Sequence, residues 1–228
     1  MIYQWLVFDA DNTLLDFTRS AKVAFSETLR FIGQDPHDHL FDVYHKINLE
    51  CWTDLEAGRI SPEELKTRRF SAFLEHLGLE GDPAEINSFY FEVLTRSTFP
   101  IDGAYEILET LFNRGYQMAI ATNGLAEVQR PRLAEAGIDQ FFSEILVSEE
   151  IGYFKPNPGF FQTAVERLQA KKTDSLLMIG DNQFSDIEAA QKMGWDTCWF
   201  NPHGESSRLA VKPDFTISRL QDLLEILP

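Results

Sequence analysis

Two acids two residues apart, Asp9 and Asp11, follow directly on the apolar run QWLVF (4–8), and Asn12 and Thr13 come next. On an extended backbone residues i and i+2 share a side, so both carboxylates can face one site. Alone, such a pair reads more readily as an Asx turn after a strand. Three further stretches shift the balance: ATNG (121–124) ends a second apolar run in Thr122 and Asn123, Lys155 stands in GYFKPNPGFF (152–161), and IGDNQFSDIEAA (179–190) carries Asp181 and Asp186. Converging carboxylates repel one another and are stabilised by a hard divalent cation with oxygen ligands, most naturally Mg²⁺. The same ion shields an incoming phosphate from the carboxylate that must attack it. An aspartate can carry the phosphoryl group covalently, which splits one difficult hydrolysis into two easier steps. A second acid then protonates the leaving oxygen and afterwards activates water. Lys155 and Thr122 supply a cation and a hydroxyl donor for the phosphoryl oxygens, and the backbone N–H groups of Asn123 and Gly124 suit a phosphate.

Those groups need elements that bring them to one rim. Short apolar runs at 4–8, MAIAT (118–122), EILVS (144–148), LLMIG (176–180), DTCWF (196–200) and DFTIS (214–218) read as strands covered on both faces. Helical patterns alternate with them at 104–115, 126–137, 157–170 and 185–194, the first and last ending at Gly115 and Gly194. Strand-helix alternation of this kind predicts an α/β fold: a Rossmann-like parallel sheet with helices on both faces, its functional groups at the carboxyl ends of the strands. Residues 16–98 break the rhythm with four amphipathic patterns, 18–32, 37–57, 62–77 and 83–97, punctuated by Gly33, Gly58 and Gly78. SPEEL (61–65) is a helix start, with Ser61 as N-cap, Pro62 at the first position and Glu64 closing a capping box. The expected organisation is therefore a core of residues 1–15 and 99–228 with a helical insertion, 16–98.

The bulk composition excludes some functions. The chain has 228 residues, 44% of them hydrophobic, a formal net charge of -16 and a pI near 4.6, with no lysine- or arginine-rich run. Such a surface repels nucleic-acid polymers and anionic membranes, while a small anionic substrate is still admitted by a local cation. Cys51 and Cys198 stand in no metal-type spacing and read as unpaired thiols of a reducing compartment. With no signal-like or membrane-length apolar run, the expectation is a cytoplasmic protein. His37 and His39 invite a metal reading that nothing else supports, and a solvated helix start suits them better. Tyr44 and Trp52 suit either a base-binding pocket or simple core packing.

FDADNTLL, ATNG, KPNP and GDNQFSDIEAA resemble, in order and on the right elements, the four motifs of the haloacid dehalogenase superfamily. The resemblance implies that Asp9 is the nucleophile and Asp11 the acid/base. It implies Mg²⁺ held by Asp9, the backbone carbonyl of Asp11 and Asp181, with Asp186 in support. Thr122, Asn123 and Lys155 would hold phosphate, and the insertion would be a cap that closes over the site. Members that dehalogenate carry a non-acidic residue where this chain has Asp11, which points here to phosphate chemistry. Wider wording, from ATNGLAEVQRPRLAEAGI and VSEEIGYFKPNPGFF to DTCWFNPHG and the WTDLEAGRIS of the insertion, is similar to bacterial pyrimidine 5'-nucleotidases of the house-cleaning type. That resemblance implies a nucleoside monophosphate such as dUMP, dTMP or UMP as substrate. Asn182, Ala189 and Asp102 depart from common wording and bear on substrate choice. A phosphatase for a sugar phosphate, such as an N-acylneuraminate 9-phosphate, fits the motifs too. A binding module on a scaffold of this type has no reason to keep Asp9, Asp11, Lys155 and Asp181 together. Nothing in the sequence fixes the oligomeric state.

Overall fold

The computed structural model describes residues 3–227. The outermost residues of the expected core segments, 1, 2 and 228, lie outside them. The chain divides into two compact units, residues 17–98 and the remainder.

In the larger unit, β1 (Trp5–Phe8) is followed by α5 (Ala104–Asn113), β2 (Gln117–Thr122), α6 (Ala126–Glu135), β3 (Glu144–Val147), the short α7 (Ser148–Ile151) and α8 (Pro158–Arg167). Then come β4 (Leu176–Gly180), a π-helical turn Gln183–Glu188, α9 (Ala189–Lys192), β5 (Asp196–Phe200), β6 (Phe215–Ile217) and α10 (Leu223–Ile226). All paired strands are parallel, in the order β3-β2-β1-β4-β5-β6. The strand order reverses between β1 and β4, and a crevice at the carboxyl ends of such a sheet is where α/β folds bind ligands.

The pleat sorts side chains to two buried faces. Leu6 and Phe8 of β1 join Met118, Ile120, Leu177 and Ile179 under Ile107, Leu108 and Leu111 of α5 and Leu223 of α10. Trp5 and Val7 point the other way, with Ala119, Ala121, Leu176 and Met178 against Phe160, Phe161 and Ala164 of α8. Strands covered on both faces are apolar at every position, which is why they read as unbroken apolar runs.

The smaller unit holds α1 (Phe17–Phe31), α2 (Asp38–Glu56), α3 (Pro62–Leu77) and α4 (Pro83–Arg96). In α1 the buried positions Ala21, Ala24, Phe25, Thr28 and Leu29 make one helical stripe. Phe25, Tyr44 and Phe70 stack in its core, so Tyr44 follows the core-packing reading. Arg69, buried with them, donates to Asn48 Oδ1 at 2.9 Å and Asn87 Oδ1 at 2.7 Å. Ser61 and Glu64 form a reciprocal capping box at the start of α3. His37 and His39 are exposed at the start of α2. Cys51 and Cys198 are free and buried. Among the described residues no helix is long and apolar enough to cross a membrane.

One element differs from expectation. The helix read at 185–194 starts earlier and opens as a π-helical turn. Asn182 Oδ1 accepts from the N–H groups of both Phe184 and Ser185 at 3.0 Å, which starts the turn two residues sooner. The wider turn aims Asp186 back at β4, and turns of this type recur at functional sites.

Candidate active site

Asp9 follows the last residue of β1, Thr122 ends β2, Asp181 follows β4, and Lys155 lies in the loop between α7 and α8. Lys155 is almost wholly buried and its ammonium is saturated: it donates to Asp9 Oδ1 at 2.8 Å, Asp186 Oδ1 at 2.7 Å and the carbonyl of Ala121 at 2.7 Å. An ammonium has three protons, and all three are used. Burial alone would depress its pKa; the carboxylates of Asp186 and Asp9 more than reverse this, so the lysine is held firmly protonated.

One ammonium does not satisfy three acids. Asp9, Asp181 and Asp186 bring a carboxylate oxygen each to within 4.8 Å of one another. Burial, together with the neighbouring carboxylates, pushes Asp9 well above the usual carboxylate range despite Lys155. Burial and then Asp186 raise Asp181 to about 7. Acids crowded this closely in a buried, oxygen-only cluster fit a hard divalent cation, which relieves both the repulsion and the desolvation. The uncommitted oxygens favour Asp9 and Asp181 as its direct holders. Asp186 already spends Oδ1 on Lys155 and Oδ2 on the N–H of Asn182 at 3.1 Å.

Each acid is held by named neighbours. Thr13 bridges to Asp181: its hydroxyl accepts from the Asp181 N–H at 3.0 Å and lies 3.3 Å from Asp181 Oδ1. Trp199 Nε1 donates to the Asp181 carbonyl at 2.9 Å. Gly180 has no side chain because Asp186 occupies the space: a Cβ there would sit 2.4 Å from Asp186 Oδ2. Asn12 adopts φ 61°, a left-handed conformation that asparagine tolerates better than most residues, and this folds the acidic lip back on itself. The N–H of Asn12 donates to the Leu15 carbonyl at 2.6 Å.

Asn123 spends its side chain on the backbone of Lys155, donating from Nδ2 to the carbonyl and accepting at Oδ1 from the N–H, both at 2.8 Å. That clasp ties the loop carrying Lys155 to the end of β2, so a phosphate at Asn123 would meet backbone rather than amide.

The carboxylate of Asp11 does not join the other acids. It is gripped from α6, where Arg132 Nη1 donates to Oδ1 at 2.6 Å and Gln129 Nε2 donates to Oδ2 at 2.7 Å. Gln129 also donates to Thr122 Oγ1 at 2.7 Å, and its Oε1 accepts from Arg132 Nη1 at 2.7 Å. Gln129 and Arg132 escaped the sequence reading. Their signal is the placement of two polar side chains on the same buried stripe of α6 as Val128 and Leu133.

A doubly wound sheet with an acid after its first strand, a hydroxyl at the end of its second and a buried lysine and further acids beside them is the arrangement of one class of hydrolase. The family model of haloacid dehalogenase-like hydrolases matches residues 3–194, and the chain belongs to that family. Within it, this chain is 34% identical to the pyrimidine 5'-nucleotidase PynA of Streptococcus pneumoniae, over all of this chain and 96% of that protein. It is 30% identical to the pyrimidine 5'-nucleotidase YjjG of Escherichia coli, over all of this chain and 99% of that one. A magnesium-bound crystal structure of the putative hydrolase YfnB of Bacillus subtilis superposes with a TM-score of 0.90 at 32% identity, covering 100% of this chain and 99% of that one.

Proposed function

We propose that this protein is a Mg²⁺-dependent phosphomonoesterase that works through an aspartyl-phosphate on Asp9 and acts on pyrimidine nucleoside 5'-monophosphates. The observation that carries the chemistry is the buried cluster of Asp9, Lys155, Asp181 and Asp186 at the sheet's switch point, with a second acid, Asp11, two residues after the first. The similarity to two pyrimidine 5'-nucleotidases at full length supports the substrate class.

Lys155 steadies the Asp9 carboxylate through Oδ1, and a carboxylate oxygen of Asp9 attacks phosphorus. The new O–P bond forms as the ester P–O bond breaks, and the Asp11 carboxyl gives its proton to the departing oxygen. Asp11 then takes a proton from water as the water oxygen attacks phosphorus. The bond from phosphorus to Asp9 breaks, releasing inorganic phosphate and the free carboxylate. Thr122 and the backbone N–H of Asn123 hold the phosphoryl oxygens, and Lys155 contributes charge rather than a further hydrogen bond. Asp9, the Asp11 carbonyl and Asp181 would hold Mg²⁺, with Asp186 supporting from behind; when bound, it neutralises the acids and the phosphate that must approach them.

A panel of phosphomonoesters ranked by kcat/KM tests this reading. The expected result is dUMP, dTMP or UMP at the head, activity lost in EDTA and restored by Mg²⁺. Sugar phosphates ranking first would overturn the substrate class; activity indifferent to chelation would overturn the metal.

A further inference from the structure

We infer that Gln129 and Arg132 are positioning residues that set the two groups on either side of the transferring phosphate: the acid/base carboxylate of Asp11 and the hydroxyl proton of Thr122. The inference rests on the roles proposed above for Asp11 and Thr122, and adds what holds them there.

The hydrogen bonds allow only one arrangement of the Gln129 amide. Arg132 Nη1 is a donor without acceptor capacity, so the atom facing it at 2.7 Å must be the amide oxygen. The amide nitrogen then faces Asp11 Oδ2 and Thr122 Oγ1, both at 2.7 Å, with one N–H for each. A flipped amide would set its oxygen against a carboxylate and its N–H groups against a guanidinium. Arg132 adds a charge-assisted bond to the other oxygen of Asp11 at 2.6 Å. Both oxygens of the acid/base are thereby fixed from a single helix.

That helix is itself tied down. The N–H of Ala126 donates to Glu149 Oε2 at 2.8 Å, and Arg130 pairs with Glu150 at 2.7 Å.

Thr122 is set by the same amide. Its oxygen accepts from Gln129 Nε2 and, at 3.2 Å, from the N–H of Gly124. With both lone pairs occupied, the hydroxyl proton is left to donate outward, which is the polarity a phosphoryl oxygen requires. Gly124 makes room for this: a Cβ there would lie 2.3 Å from Gln129 Cγ and 2.5 Å from its Nε2. Arg132 is fully buried, a costly place for a guanidinium unless it is paired. The sheet's packing gives no reason for that charge, whereas the grip on Asp11 does.

The test compares two substrates that need the acid differently. An alkyl leaving group, as in dUMP, requires protonation as it departs; p-nitrophenolate leaves without it. For Arg132→Met, kcat/KM on dUMP is expected to fall about tenfold or more beyond its fall on p-nitrophenyl phosphate, a part of the ~10²–10⁴-fold that a positioned acid supplies. Arg132→Lys should restore part of the difference. Gln129→Leu should show the same excess loss on dUMP, added to a loss common to both substrates from Thr122. Gly124→Ala should reproduce the Gln129→Leu pattern through the displaced side chain, without altering either positioning residue. Circular dichroism establishes which variants are folded, and Gly124→Ala carries the test should the buried substitutions unfold. Equal losses on both substrates in folded variants, or no loss, would overturn the inference. A wild-type enzyme inactive on both substrates would instead overturn the proposed function.

Discussion

At the scale of residues, the site is a problem of placing like charges close together and keeping them there. Asp9, Asp181, Asp186 and Lys155 lie within a few ångströms of one another, and the acids are held by named neighbours: Lys155 for Asp9, Thr13 for Asp181, the vacant side of Gly180 for Asp186, with Gln129 and Arg132 gripping Asp11 beside them. Gly180 tests how tightly the arrangement is set. Its φ is not in the left-handed region, so alanine is acceptable to the backbone. Its methyl would meet Asp186 Oδ2 at 2.4 Å and Cγ at 2.7 Å, and Asp186 is buried with no room to withdraw. Gly180→Ala is expected to push Asp186 off Lys155, lowering kcat by about 10²-fold, the size of effect that misplacement of about an ångström produces. Overpacking should also cost about 1–3 kcal/mol of stability. Steady-state kinetics at saturating Mg²⁺ with a parallel thermal melt measure both, and kcat within twofold of wild type would show that Asp186 is not needed at that position.

At the scale of elements, local sequence rules account for much of the structure. The capping box at Ser61 and Glu64 forms as written, with Glu64 Oε2 accepting from the Ser61 N–H at 2.8 Å and Ser61 Oγ accepting in return at 3.2 Å. Ser61→Ala should therefore destabilise the protein by about 1 kcal/mol while leaving turnover unchanged. A melt of the variant beside wild type reads this, and unchanged stability would mean that the box contributes nothing. The strands were legible for the same kind of reason, since residues buried on both faces leave an unbroken apolar signature. The π-helical turn at 183–188 was not legible, because it depends on Asn182 reaching two N–H groups and on Asp186 finding Lys155 across the site, contacts that exist only after folding. The grip of α6 on Asp11 was hidden likewise. Gln129 and Arg132 look like ordinary polar helix positions until the helix is docked with that side inward. Asn12 was the reverse case: its type was conspicuous and its reason, a left-handed backbone, lay in the geometry.

For the whole molecule, the governing fact is a net charge of -16 on a chain proposed to take an anionic substrate. Long-range attraction cannot bring that substrate in; recognition has to come from cations set into the site itself. Lys155 is such a cation, and Arg132 is a second buried one behind Asp11; both face acids proposed for the chemistry. The acids they leave unsatisfied are those suited to hold Mg²⁺, so site charge, metal and substrate are one coupled system. The central claim is that Asp9 itself takes the phosphoryl group. Rapid acid quench during turnover of dUMP with Mg²⁺, followed by peptide mass spectrometry, tests it most directly. The account predicts a transient phosphate on the peptide containing Asp9, absent in Asp9→Asn and in EDTA, with turnover abolished in that variant. Full turnover with no phosphorylated peptide, or an Asp9→Asn enzyme hydrolysing dUMP at the wild-type rate, would contradict it.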